Sequence, residues 1–225
     1  MPTRQTPLVT GQYYHIFNRG VARQPIFFRK RDYERLLLTF DYYRFAKPPL
    51  RLSKLLQLPN EQVDQLLLSL RTSAKLVTVC CYVFMPNHFH LILRQETDKG
   101  ISVYISRTIN SYTRYQNTRS KRVGPVFQGA FKAVRIETEE QLLHLSRYIH
   151  LNPVTSYVVD QDDLFTYPWS SLYAYAETDH QLVDSSTIMG SFKSFDSYET
   201  FLTDNVDYAK RLEEIKHLAI DHEDT

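Results

Sequence analysis

Two histidines one residue apart, His88-Phe89-His90, are the sharpest chemical feature of the sequence. They open HFHLILR, an apolar run of strand character. Side chains two apart on a strand share a face, about 7 Å apart by backbone rise, so both imidazoles can turn toward one metal ion. Phe89, Leu91 and Leu93 then face the other way and hold the strand in register against a core. Taken alone the pair is weak evidence, because packed and surface histidines produce the same pattern.

A second cluster lies in LSRYIHLNPV, where Tyr148 and Asn152 are four residues apart and share one face of a helix. Gln141 and His144 extend that stripe. Asn152 can offer an amide oxygen to a hard divalent cation, and Tyr148 can present a phenol one turn away as a nucleophile toward a phosphate. The alternative is a tyrosine packed on a sheet and an asparagine closing the helix before Pro153. Tyr112 and Gln116 repeat the same spacing and stand as an alternative nucleophile and ligand.

The elements that must position these residues are readable from pattern. Residues 11–19 read as a strand, and residues 31–46 as a helix with Tyr33, Leu36, Leu37, Phe40 and Tyr43 at helical spacing. Pro48-Pro49 break it, and LSKLLQL and NEQVDQLLLSL, separated by Pro59, form a helical insertion over about 48–74. The run 75–85 and HFHLILR meet across Pro86-Asn87 as an antiparallel pair. A helix over 101–118, a loop and strand over 123–136, and a helix from about 139 to Asn152, capped at Thr138 and ended by Pro153, complete the series. Strands and helices in this order predict an α+β layer fold with helices packed on an antiparallel sheet. The two cysteines, Cys80 and Cys81, are adjacent in a strand and read as reduced core residues.

Charge divides the chain. Residues 1–159 carry 23 Lys and Arg against 10 Asp and Glu, whereas residues 160–225 carry 4 against 15. From Lys99 to Arg135 there are eight basic residues and no acidic one. A polyanion-binding surface is the natural reading, with a merely solvated basic face as the alternative. Residues 1–157 are expected to form one domain and 158–225 an acidic, mostly helical C-terminal extension. No apolar run approaches the roughly 20 residues needed to span a bilayer, and the N-terminus lacks the apolar stretch of a signal peptide, so no membrane partner and a cytoplasmic, nucleoid-associated location are expected.

The segment H88-F-H90 after YVFMPN resembles the HUH motif, and Y148-I-H-L-N152-P resembles the tyrosine helix of the REP-associated tyrosine transposases. YYHIFNRG and GPVFQGAFKAV match in the same order, so the resemblance covers roughly residues 11–155. It implies a ferredoxin-like, RRM-like sheet, a catalytic Tyr148, metal ligands His88, His90 and Asn152, and Mg²⁺ or Mn²⁺ as the ion. The implied activity is cleavage and rejoining of single-stranded or hairpin DNA through a 5′-phosphotyrosine, with His144 or a water taking the phenolic proton. A homodimer is a further possible partner state; the insertion and the acidic tail fall outside the resemblance.

In this reading Arg19, Arg23, Arg107, Arg114, Tyr115, Arg119, Lys121, Arg122 and Lys132 contact DNA, since aromatic and guanidinium planes stack on unpaired bases while cations meet phosphates. Two rival functions share the same features. One is a replication-initiator or relaxase-type nickase; the other is a non-catalytic single-stranded nucleic-acid-binding module on the same fold.

Overall fold

The computed structural model describes residues 7–176 and 182–204. Its centre is a four-stranded antiparallel sheet in the order β2-β3-β1-β4, built from β1 (Tyr13–Arg19), β2 (Val77–Met85), β3 (His88–Gln95) and β4 (Lys132–Ile136). Between β1 and β2 lies α1 (Lys30–Tyr43), followed by the insertion helices α2 (Leu52–Leu55) and α3 (Asn60–Arg71). Then α4 (Gly100–Ser120) connects β3 to β4, and α5 (Glu139–Thr155) follows β4. Without the insertion this is the βαββαβ order of a ferredoxin-like fold.

Pleating sorts the sheet into two faces. β1 alternates buried Tyr14, Ile16 and Asn18 with half-buried Tyr13, His15 and Phe17. On the first side, Phe40 of α1 packs edge-on against Phe89 of β3 and Tyr104 of α4. The second side carries α5. β2 lies between both layers, so every residue from Val79 to Met85 is buried and its alternation is lost. Cys80 and Cys81 are both free and buried there, at a register shift between Val79 and Cys81. Burial pushes the Cys81 thiol up to about 12, which keeps it protonated and unreactive near neutral pH.

Buried Asp32 staples α1 to α4. One carboxylate oxygen accepts from the backbone N–H groups of Phe28 (2.9 Å) and Arg29 (3.1 Å); the other accepts from the Tyr115 hydroxyl (3.0 Å) and the Arg119 guanidinium. Such a fully matched buried carboxylate is tolerated because each lone pair meets a donor.

The insertion leaves and re-enters the fold at one point, where the Ala46 N–H donates to the Ala74 carbonyl and Phe45 bridges Lys75. Closure at its base lets the chain carry the extra helices and rejoin the sheet at β2.

One boundary differs from the sequence reading: α5 runs to Thr155 with Pro153 inside it. A proline removes the N–H that would donate to the carbonyl four residues back, but its own carbonyl is still met, accepting from Val158 N (2.8 Å) and Val159 N (3.2 Å) where the helix ends. At the other end, the Thr138 hydroxyl oxygen accepts from Gln141 N (3.1 Å), the cap that the sequence predicts.

Beyond α5 the described chain forms short helices, α6 (Tyr173–Ala176), α7 (Ser186–Met189) and α8 (Phe195–Thr203). They are joined by irregular segments that bridge β2 at Ser170 and Val183 and add Leu172, Tyr175, Tyr198 and Leu202 to the core. The rest of the acidic tail, from 205 on, lies outside the described residues. Among the described residues no helix is long and apolar enough to cross a membrane.

Candidate active site

Register places His88 and His90 on the face that carries α5. His90 is paired with Phe17 of β1 and Val83 of β2, and His88 with Arg19 and Met85. Directly opposed residues of antiparallel strands share a face, so Phe17 and Arg19 stand beside the histidines. Phe89, between them, is fully buried on the other side, as the pleat requires.

The two imidazole rings lie 5.0 Å apart and nearly perpendicular. His88 Nδ1 is 2.6 Å from Asn87 Oδ1, and His90 Nδ1 is 2.9 Å from His15 Nε2. Asn87 and His15 therefore orient the candidate ligands, the service that second partners usually perform for metal-binding histidines. Burial lowers the His15 pKa to about 4, so its ring is neutral near pH 7.

Tyr148 comes from α5 to meet this face. Its ring stands edge-on to His90 at 5.5 Å and to His15 at 6.4 Å between centroids. One turn further on, Asn152 is 1% exposed and its Oδ1 is a buried acceptor with no hydrogen-bond partner. An unmatched buried acceptor costs about 1–3 kcal/mol, which makes it a position where a cation or a donor is favoured. That orphan oxygen on the tyrosine helix suits the metal reading of the residues. Among the described residues no group of three His, Cys, Asp or Glu side chains forms a metal cluster; the candidate set of His88, His90 and Asn152 includes an amide.

A buried polar chain anchors α5 where it presents Tyr148. His150 lies between the Tyr198 hydroxyl on α8 (2.7 Å from Nδ1) and, at Nε2, Ser171 Oγ (2.8 Å) and Cys81 Sγ of β2 (3.2 Å). Burial depresses the His150 pKa to about 3, so it works as a neutral linker.

The other sequence candidates are distributed unevenly. Arg19 and Lys132 belong to the histidine face, since each is paired with a residue of that face. Arg23 sits in the short 3₁₀ turn Val21–Arg23 beyond β1, where its carbonyl accepts from Asn87 Nδ2. Arg107, Arg114, Tyr115 and Arg119 lie on α4, and Lys121 and Arg122 follow it, on the layer across the sheet. Arg107 donates to the Ala46 carbonyl (3.1 Å) at the base of the insertion, and Tyr115 and Arg119 hold Asp32. His144 Nδ1 accepts from the Arg147 guanidinium at 2.7 Å, and its other nitrogen lies beside Glu140.

Tyr112 is wholly buried, with its hydroxyl donating to the Ile26 carbonyl (2.7 Å) and accepting from Gln116 Nε2 (2.7 Å). Of the two tyrosines, Tyr148 is the one brought to the histidines. His15, Asn87 and His150 were not singled out from sequence. Period-two alternation puts His15 on one face with Arg19, but which strand lies beside it is a matter of sheet order.

A four-stranded antiparallel sheet of this order, layered with helices on both faces, is a ferredoxin-like arrangement, and here it carries a His-x-His pair opposite a helical tyrosine. The chain is similar in structure to a REP-associated tyrosine transposase solved bound to a REP hairpin: TM-score 0.56 at 15% identity, covering 82% of this chain and 92% of that one. At that identity the likeness establishes the fold. No family model and no curated protein matches the sequence.

Proposed function

We propose that this protein is a metal-dependent tyrosine transposase that cleaves and rejoins single-stranded, hairpin-bearing DNA. The observation that carries the reading is the approach of the Tyr148 ring to within 5.5 Å of His90, on the face that also holds His88 and at the helix bearing the unpartnered Asn152 oxygen. The bound REP hairpin of the structural neighbour supports the substrate class.

In the proposed reaction Tyr148 Oη forms a bond to a DNA phosphorus while the bond from phosphorus to the 3′-oxygen breaks. That oxygen leaves as a free 3′-hydroxyl, and the 5′ end remains as a phosphotyrosine ester. The phenolic proton passes to solvent or to His144, and the departing oxygen takes one up. Attack by a second 3′-hydroxyl reverses the step and restores a phosphodiester, so no nucleotide cofactor is needed. His88, His90 and Asn152 would hold Mg²⁺ or Mn²⁺, which when bound polarises the scissile oxygens and stabilises added charge. His15 and Asn87 keep the two imidazoles aimed, and Arg19 and Lys132 offer cations to the flanking phosphates.

Incubation of labelled hairpin DNA with the protein and Mn²⁺, followed by denaturing electrophoresis, should reveal a covalent adduct that Tyr148→Phe abolishes. Absence of any adduct from the wild-type chain would leave the binding-module reading in its place. Nicking of a single origin without strand transfer between two hairpin-bearing oligonucleotides would favour the initiator or relaxase.

A further inference from the structure

The layer across the sheet from the histidines carries a cleft that the proposed reaction does not use. Its volume is about 370 Å³, and its walls include Phe28, Arg29, Gln116, Arg119, Arg122 and Val126. Phe28 offers a large aromatic ring to solvent, 59% exposed. Arg119 is balanced by Asp32, and Arg122 donates one N–H to the Pro125 carbonyl (3.0 Å) while retaining other guanidinium donors.

Gln116 is the chemically informative wall. It is 2% exposed, and its Nε2 donates to the Ile26 carbonyl (3.2 Å) and to Tyr112 Oη (2.7 Å). A carbonyl oxygen only accepts, so this contact fixes which way the amide is turned. Oε1 is left as a buried acceptor without a hydrogen-bond partner. Both donors of the amide are committed inward, so what Gln116 has to offer is a single unmatched lone-pair site.

The cleft is connected to the candidate active site through the segment 20–29, which runs on from β1. Gly20 N donates to the Asn87 carbonyl (2.7 Å), next to His88, and Ile26 N to the Pro86 carbonyl (2.9 Å). Segment 20–29 therefore joins the His88 end of the histidine face to Phe28 and Arg29.

We propose that this cleft takes one unstacked base of single-stranded DNA and prefers a base with an exocyclic amine. The amine donates to Gln116 Oε1, the ring lies against Phe28, and the adjoining phosphates meet Arg29 and Arg122. Cytosine satisfies this arrangement. Thymine satisfies it less well, because its one ring N–H is flanked by two carbonyl oxygens that repel the same acceptor. The inference rests on the single-stranded DNA reading above and adds a base preference to it.

The test is equilibrium binding of the full chain to fluorescent oligodeoxycytidine and oligothymidine of equal length, without metal, so that no cleavage occurs. Wild type should bind the deoxycytidine tract about fivefold more tightly, the worth of roughly one neutral hydrogen bond. Gln116→Met, which keeps the bulk and removes the acceptor, should level the two tracts. Phe28→Ala, at an exposed position with little bearing on folding, should weaken both about tenfold through lost stacking. Equal wild-type affinities, an unchanged Phe28→Ala, or equal weakening of both tracts by Gln116→Met would each overturn the proposal. If the Tyr148 adduct forms while any of these results holds, the cleft inference fails alone. If neither tract binds and no adduct forms, the functional reading fails with it.

Discussion

Tyr148 and Tyr112 are each followed four residues later by an amide, and each stands on a helix packed against the same sheet, yet their surroundings are opposite. Tyr112 is sealed: its hydroxyl is matched by Ile26 and Gln116, and its ring lies among Phe27 and Phe127. Tyr148 stands half-buried, edge-on to the rings of His90 and His15, and its amide neighbour Asn152 keeps an oxygen unmatched. Identical helical spacing thus serves packing on one layer and assembles a candidate reaction centre on the other. Spacing decides which side chains can meet; the layer across from them decides what they do.

The largest expected difference between the two is chemical. Tyr148→Phe should reduce covalent adduct by about 10³-fold or more, the scale of losing a nucleophile, whereas Tyr112→Phe should retain it in the folded fraction. The reverse pattern in the electrophoretic assay would exchange the roles of the two helices.

The amides should separate next. Asn152→Ala should raise the Mn²⁺ concentration for half-maximal adduct by at least about tenfold, and Gln116→Met should leave it unchanged. A chelator should abolish the adduct in wild type and in Gln116→Met alike. A metal titration in which both variants matched wild type would remove Asn152 from the ligand set.

In stability the order inverts. Tyr112→Phe removes one of the two donors to the Ile26 carbonyl and one of the two acceptors of Gln116 Nε2, so urea denaturation should show a loss of about 1–3 kcal/mol. Tyr148→Phe should cost less than about 1 kcal/mol. An equal loss for both would mean that Tyr148 is held as tightly as Tyr112 and contradict the contrast.

The smallest effect concerns the flanking cations. Lys132→Ala, on the histidine face, should lower the slope of log affinity against log salt by about one for the loss of one phosphate contact. Arg107→Ala, at a position tied to Ala46, should leave that slope unchanged. A change with Arg107 alone would place the DNA track on α4.

The sequence was enough to lay out the elements, because their signals are local. Period-two alternation in HFHLILR, the Thr138 cap, helical spacing around Tyr148 and the proline breaks each act within a few residues, and β1, β3, α4 and α5 appear where those signals put them. The α5 boundary departs from the pattern because the helix continues past Pro153 and closes through contacts of its C-terminal carbonyls with Val158 and Val159, which no local pattern reports. The uniform burial of β2 likewise follows from packing on both its faces, which is not a local property of the strand.

Chemistry-bearing residue types were legible too: His88, His90, Tyr148 and Asn152 stood out by kind and interval. What only tertiary structure decided was their company. Sheet order brought His15 of β1 to His90 across about 75 residues of chain, and the packing of α5 on one face and α4 on the other parted two tyrosines of equal local promise. A hydrogen bond or an orphaned acceptor is a property of what folds against a residue, and that partner is chosen by the global burial of apolar faces, at distances along the chain that no short-range pattern can encode.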